Sequence, residues 1–239
     1  MARGNSSLDA GRFATRIDPD SDAPMADPHP NTRLEAFCDG VFAIALTLLI
    51  IDIKIPASEG IRTTRELWLA LGHLGPSIFA FVLSFAIILI TWVNHHGMFK
   101  LVNKSSASFI YANGFLLLTV VFMPFPTALV GEYLLTDHAG PAVVIYNSVT
   151  VVQSVAWILV SGAALRGRLS KDDRSTSLMR DNHRNGYVAV VVYSLLALIA
   201  VWFPLAIAIV TTVLWVYWLT FSLRETTENP IPLRAPLAP

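Results

Sequence analysis

Four polar side chains interrupt the most apolar stretches of this chain: Asp39 in TRLEAFCDGVFAIALTLLIIDIKIP, and Asn94, His95 and His96 in SFAIILITWVNHHG. A carboxylate and two imidazoles could bind a metal or flank an ion path. The spacing counts against a metal. Neighbouring histidines on a helix point about 100° apart, and the i, i+4 pair that shares one face is missing. A carboxylate at mid-membrane costs roughly 2.5–3.5 kcal/mol, and less near a span end, so Asp39 requires a partner. By depth the candidates are Asn94, His95 and His96, with Arg33 at the same level. Such a cluster could sit beside an ion path, or it could be a clasp that locks helices together. The two readings are compatible.

The element that must position Asp39 is the stretch from Thr32 to Pro56. Thr32 followed three residues later by Glu35 is the pattern of a capping box. Pro56 cannot continue a helix, so Ile55 is the expected last residue. Arg33–Ile55 would be 23 residues, or roughly 34 Å, enough to cross a hydrocarbon core of about 30 Å. On a helical wheel Ile44, Leu48 and Ile51 fall within about 60° of each other, and Phe37, Val41 and Ile55 extend the stripe. Asp39 points about 140° away from Ile44. Thr47 lies on the edge of the stripe. An apolar stripe is by default a lipid or packing face, and a lone helical threonine by default bonds back to the preceding turn.

Composition agrees with a membrane protein. The chain has 239 residues, is 54% hydrophobic and 14% charged, and its mean hydropathy is +0.56. No Gly-rich phosphate loop, zinc spacing or basic nucleic-acid patch is present. The single cysteine, Cys38, excludes an internal disulfide. Residues 1–30 lack the apolar core of a secretory signal and read as a disordered tail. Six spans follow in residues 31–225, at about 32–55, 76–97, 107–130, 141–165, 186–202 and 205–223, and 226–239 is a short Pro-rich tail. Gly75–Pro76 marks a bend, and the prolines of Met123–Thr127 break the third span near the membrane surface. Arg166–Arg184 reads as a charged loop. Trp92, Trp157, Trp202, Trp215 and Trp218 read as interfacial anchors. Six spans put fourteen of the 17 lysines and arginines on the side of the termini and three, Lys54, Arg62 and Arg65, on the other. That bias predicts an all-α membrane protein with both ends in the cytoplasm. No repeat between the halves is visible.

The run Arg33-x-x-x-Phe37-Cys38-Asp39 resembles the first-helix signature Arg-x-x-x-Phe-Ser-Asp of the transmembrane protein 175 family of potassium channels. Cys38 stands where the family usually has serine, a better hydrogen-bond donor. Trp92-x-Asn94-His95-His96 is similar to the family's second-span pattern, and PFPT to its third. The resemblance covers about 30–225. It implies the prokaryotic single-set form: a homotetramer in the plasma membrane of a prokaryote, with potassium as permeant ion, no cofactor and no enzymatic activity. It implies a central pore lined by the first helix, a constriction at Ile44 with Leu48 and Ile51 further along, and a hydroxyl at Thr47 linked to cation selectivity. The family lacks the TVGYG carbonyl filter, and so does this chain.

A narrow apolar ring would gate by dewetting. Asp39, Arg33, Cys38 and the His95–His96 pair would hold the first helix against the second and set the pore radius. Asp52, near the outer mouth, would raise the local cation concentration, and a histidine in the network would make opening pH-sensitive. Three other classes stay open. A carrier would use broken helices and internal repeats around a midplane site. An intramembrane enzyme would use Asp39 with the histidines. A non-conducting scaffold would assemble without an axial stripe.

Overall fold

Helices, most of them apolar, run through nearly all of the described residues. The structure, a computed structural model, describes residues 31–228, with side chains through 218. Eight α-helices follow in order: α1 (Thr32–Leu48), α2 (Thr64–Gly72), α3 (Gly75–Leu101), α4 (Ala107–Phe122), α5 (Pro124–Tyr133), α6 (Ala139–Arg166), α7 (Asp173–Ile199) and α8 (Pro204–Glu228). The expected tail 1–30 lies outside the described residues, as does 229–239.

Four segments among the described residues are long and apolar enough to cross a membrane: Thr32–Asp52, Gly75–Leu101, Ala107–Tyr133 and Ala139–Arg166. Among the residues whose side chains are described, α8 adds a further apolar stretch, Pro204–Trp218. The first half of α7, DRSTSLMRDNHRN, is polar. These two helices fall where the fifth and sixth spans were expected.

The first helix departs from expectation at both ends. Thr32 and Glu35 form no capping box. Thr32 is already the first helical residue, Asn31 is the cap residue and makes no side-chain bond to the helix, and the Glu35 carboxylate lies 2.8 Å from His96 instead. The capping box of this chain is at Thr63 and Glu66, where Thr63 accepts the Glu66 N–H and Glu66 accepts the Thr63 N–H. At the far end α1 stops at Leu48, well short of Ile55. It tightens into a 3₁₀ turn over Leu49–Asp52, and Ile53 is already extended (φ −83°, ψ 97°). Ile50, Ile51, Ile53 and Ile55 are β-branched and poor helix formers, and Pro56 pushes the residue before it toward extended backbone.

The break in the third span falls at Met123. Pro124 has no N–H for the Val120 carbonyl, and the Met123 N–H takes that carbonyl at 3.1 Å instead. The charged loop Arg166–Arg184 is largely helix. Asp172 caps α7 by accepting the Ser175 N–H at 2.7 Å, and α7 then packs back along α6. A short antiparallel pairing ties the turn before α7 to the α3–α4 connection: the Asn103 N–H meets the Leu169 carbonyl at 2.8 Å, and the Lys171 N–H meets the Leu101 carbonyl at 3.0 Å.

The core lies where α1, α3, α4 and α6 meet. Phe42, Phe109, Leu49, Ile87, Ile88 and Met98 are among its largest fully buried side chains. Hydroxyls and amides cross-link it. Ser84 lies 2.9 Å from the Tyr146 hydroxyl and 2.6 Å from Thr127. Gln153 donates to Thr91 at 3.1 Å, and Thr211 to Asn147 at 3.1 Å. Buried polar groups require such partners. At Gly186 the α6–α7 contact is so close that an added Cβ would lie 2.7 Å from Ile158 Cγ1.

Candidate functional site

α1 has two unlike faces. Cys38, Phe42, Ala45 and Leu49, spaced i, i+4, i+7 and i+11, are buried against the rest of the subunit. That spacing is one stripe of a helix. The opposite side is apolar and uncovered: Phe37 is 63% exposed, Ile44 59%, Leu48 38% and Ile51 69%. Thr47 is exposed on the same side, and its hydroxyl donates to the Ile44 carbonyl at 2.8 Å. This is the back-bonding that threonines adopt in helices. The hydroxyl proton is thereby used within α1, and the oxygen lone pairs stay available.

The two carboxylates of α1 turn toward α3. The Trp92 indole N–H donates to Asp39 Oδ1 at 2.8 Å. Asn94, His95 and His96 were the expected partners of Asp39, with Arg33 at the same level. None of them is bonded to it, and Asn94 and Arg33 are exposed. The reason is geometric. α1 and α3 are antiparallel, so Asp39 comes level with Trp92 while Glu35, one turn earlier, comes level with His96. The Trp92 ring stacks on His96 at 6.0 Å and 15°. Trp92 is therefore a link between helices rather than a free interfacial anchor.

His95 serves the core instead. Its Nε2 lies 3.0 Å from Asn113 Oδ1 on α4. The Asn113 Nδ2 donates to the Phe109 carbonyl at 2.7 Å, so Oδ1 is the acceptor and His95 Nε2 carries the proton. The ring sits among Phe42 and Phe99, with centroids at 5.2 and 4.7 Å. Cys38, buried on the same side, is a free thiol.

The structure thus gathers Cys38, Asp39, Trp92, His95 and His96 at the α1–α3–α4 junction. It leaves Arg33, Phe37 and Asn94 outside. Sequence reasoning missed Glu35 and Asn113. Glu35 stands i, i+4 to Asp39 and so shares its face, and Asn113 is a lone amide in an apolar run. Among the described residues no three His, Cys, Asp or Glu side chains come together as a metal would require. What the arrangement does chemically is hold α1 by its polar side and present Ile44, Leu48 and Ile51 outward.

Residues 33–124 match the family model for the endosomal/lysosomal potassium channel TMEM175. The chain is 40% identical over 185 residues to a potassium channel of Chamaesiphon minutus, covering 76% of this chain and 91% of that relative. It is 45% identical over 126 residues to a potassium channel of Streptomyces collinus, covering 52% of this chain and 60% of that one. In structure it is similar to a lysosomal potassium-selective channel TMEM175 homologue from Chamaesiphon minutus. The TM-score is 0.68, with 36% identity, 80% of this chain covered and 96% of the other.

Proposed function

The chain belongs to the TMEM175 family, and from that premise we propose that it is a potassium channel whose pore is lined by α1. In this reading four copies assemble around a membrane-normal axis. Each contributes six spans with both termini in the cytoplasm, residues 31–225 forming the channel domain in a prokaryotic plasma membrane. The observation that carries the reading is the division of α1. Its two carboxylates, Glu35 and Asp39, face α3 within the subunit, and Ile44, Leu48 and Ile51 are left uncovered on the other side.

Four Ile44 side chains around an axis form a narrow dry neck. Water leaves such a neck, and an ion entering it must give up hydration it cannot replace, so the pore is closed. A small rotation or spreading of α1 wets it. Thr47 lies one turn further along. Its hydroxyl donates within the helix, so a ring of four oxygens offers lone pairs to a partly dehydrated cation. Potassium holds its water less tightly than sodium and is favoured. No TVGYG segment is present to supply a carbonyl ladder. Glu35, Asp39, Trp92 and His96 fix the tilt of α1 and with it the neck radius.

The test is potassium flux into proteoliposomes with Ile44→Asn. A wetted neck leaks, so flux rises. Unchanged flux removes Ile44 from the constriction. Single-channel currents separate a channel from a carrier, and the symmetry of the purified assembly separates both from a lone scaffold.

A further inference from the structure

At the end of α1 remote from Thr32, a cavity of about 270 Å³ opens between the Leu49–Asp52 turn, the start of α3 and the end of α5. Its apolar wall includes Leu49, Phe81 and Phe125. Its charged residues are of both signs: Asp52, Glu132 and Lys54. Asp52 Oδ2 is sealed from solvent and has no hydrogen-bond partner among the described residues. Asp52, Lys54 and Glu132 form no ion pair with one another. The wall between α3 and α5 is stiff. Ser77 donates to the Gly131 carbonyl at 3.3 Å, and the two backbones are so close that a Cβ on Gly131 would lie 3.0 Å from Ser77 Cα.

The depth of the cavity matters as much as its chemistry. Ser77 is in the first turn of α3 and Tyr133 is the last residue of α5, so the cavity sits where spans leave the hydrocarbon. Phe125 lines it and is also exposed to the outside of the subunit, so its apolar wall continues onto the outer surface.

The geometry points to a binding site for the head group of a phospholipid with a primary ammonium, the phosphatidylethanolamine class. The ammonium donates to the exposed Glu132 and, as the half-buried Asp52 carboxylate turns its shielded oxygen into the cavity, to Asp52; Lys54 meets the phosphate, and the acyl chains leave over Phe81 and Phe125. A buried acceptor without a donor is costly, and an N–H group relieves it. A quaternary ammonium has no N–H to give. An alkali cation would satisfy the carboxylates but would leave Lys54 and the apolar wall unused. An anionic head group would satisfy Lys54 and be repelled by the two carboxylates. The site requires a lipid but no ion flow, so it stands or falls separately from conduction.

The test uses the full chain in detergent, with lipids of identical acyl chains added. Unfolding midpoint and lipids retained in native mass spectrometry are read together. Phosphatidylethanolamine is expected to stabilise and be retained, while phosphatidylcholine and phosphatidylglycerol are not. Asp52→Asn should weaken phosphatidylethanolamine binding by about tenfold. The lipid-free protein should be no less stable, because an unpartnered carboxylate has gone. Lys54→Gln leaves that carboxylate in place and should weaken binding severalfold. Equal stabilisation by phosphatidylcholine overturns the head-group assignment, as does an Asp52→Asn protein that keeps the preference. Full stabilisation by soluble phosphoethanolamine overturns the lipid.

Discussion

Trp92 and Asp39, 53 residues apart in sequence, meet at 2.8 Å across α1 and α3. One turn away His96 and Glu35 repeat the contact at 2.8 Å. Residues 35 and 39 on one helix and 92 and 96 on the other are each i, i+4 pairs. The two bonds are therefore successive rungs between antiparallel helices, and together they fix rotation as well as distance.

Removing one rung should be felt in stability. Asp39→Ala strands the indole N–H of Trp92 in a half-buried site and should cost about 1.5–3 kcal/mol. Asp39→Asn keeps an acceptor and should cost less. Unfolding midpoints in detergent give the comparison. Equal losses would mean that the carboxylate charge, not the bond, is what matters.

In the proposed reading, variants at Thr47 separate conduction from selection. Thr47→Val removes the oxygen but keeps the shape, so potassium flux should persist while the preference over sodium falls toward unity. Thr47→Ser should keep the preference. Bi-ionic reversal potentials measure it, and a full preference in the valine variant removes Thr47 from the pathway.

At the α6–α7 contact, Gly186→Ala places a Cβ against Ile158 Cγ1, where 2.7 Å is available. Overpacking of this kind costs about 1–3 kcal/mol. Adding Ile158→Ala removes the obstructing atom, so the double variant should lose less than the sum of the two single losses. Additive losses would show that the helices do not meet there.

The Asp172 cap predicts a pH dependence outside the membrane. The Ser175 backbone N–H, followed by the Ser175 side chain, holds the Asp172 carboxyl below its ordinary value. The folded state thus prefers the charged form. Its contribution is present above the ordinary carboxylate range and is lost as pH falls through the lowered folded value. Hydrogen exchange at the start of α7 should quicken on acidification in the native protein. In Asp172→Asn, which keeps an acceptor without a titrating group, that part of the acid response should be absent.

Much of this was legible in the sequence. The apolar runs placed α3, α4 and α6, the prolines marked the Met123 break, and the i, i+4, i+7 spacing identified one apolar face of α1. What escaped were pairings between helices. Glu35 looked like a capping residue because its local pattern fits one, and only the antiparallel placement of α3 offers it His96. Asp39 looked destined for a histidine because depth was known and register was not. The polar start of α7 read as a loop because its stability comes from packing on α6 and from the Asp172 cap, neither of which shows in a hydropathy profile. The early end of α1 is written in its isoleucines, but Pro56 is the more conspicuous stop signal.

The interruption at Met123 leaves the third span as two short rods with different allegiances. One rod, α4, rests on α1 and α6, while the other, α5, rests on α3, on α6 and on the Leu49–Asp52 turn. A continuous rod would oblige both to swing together. In the proposed reading, a lean of α1 is passed to α4, and the knuckle at Met123 lets α5 keep its place against α3 and α6.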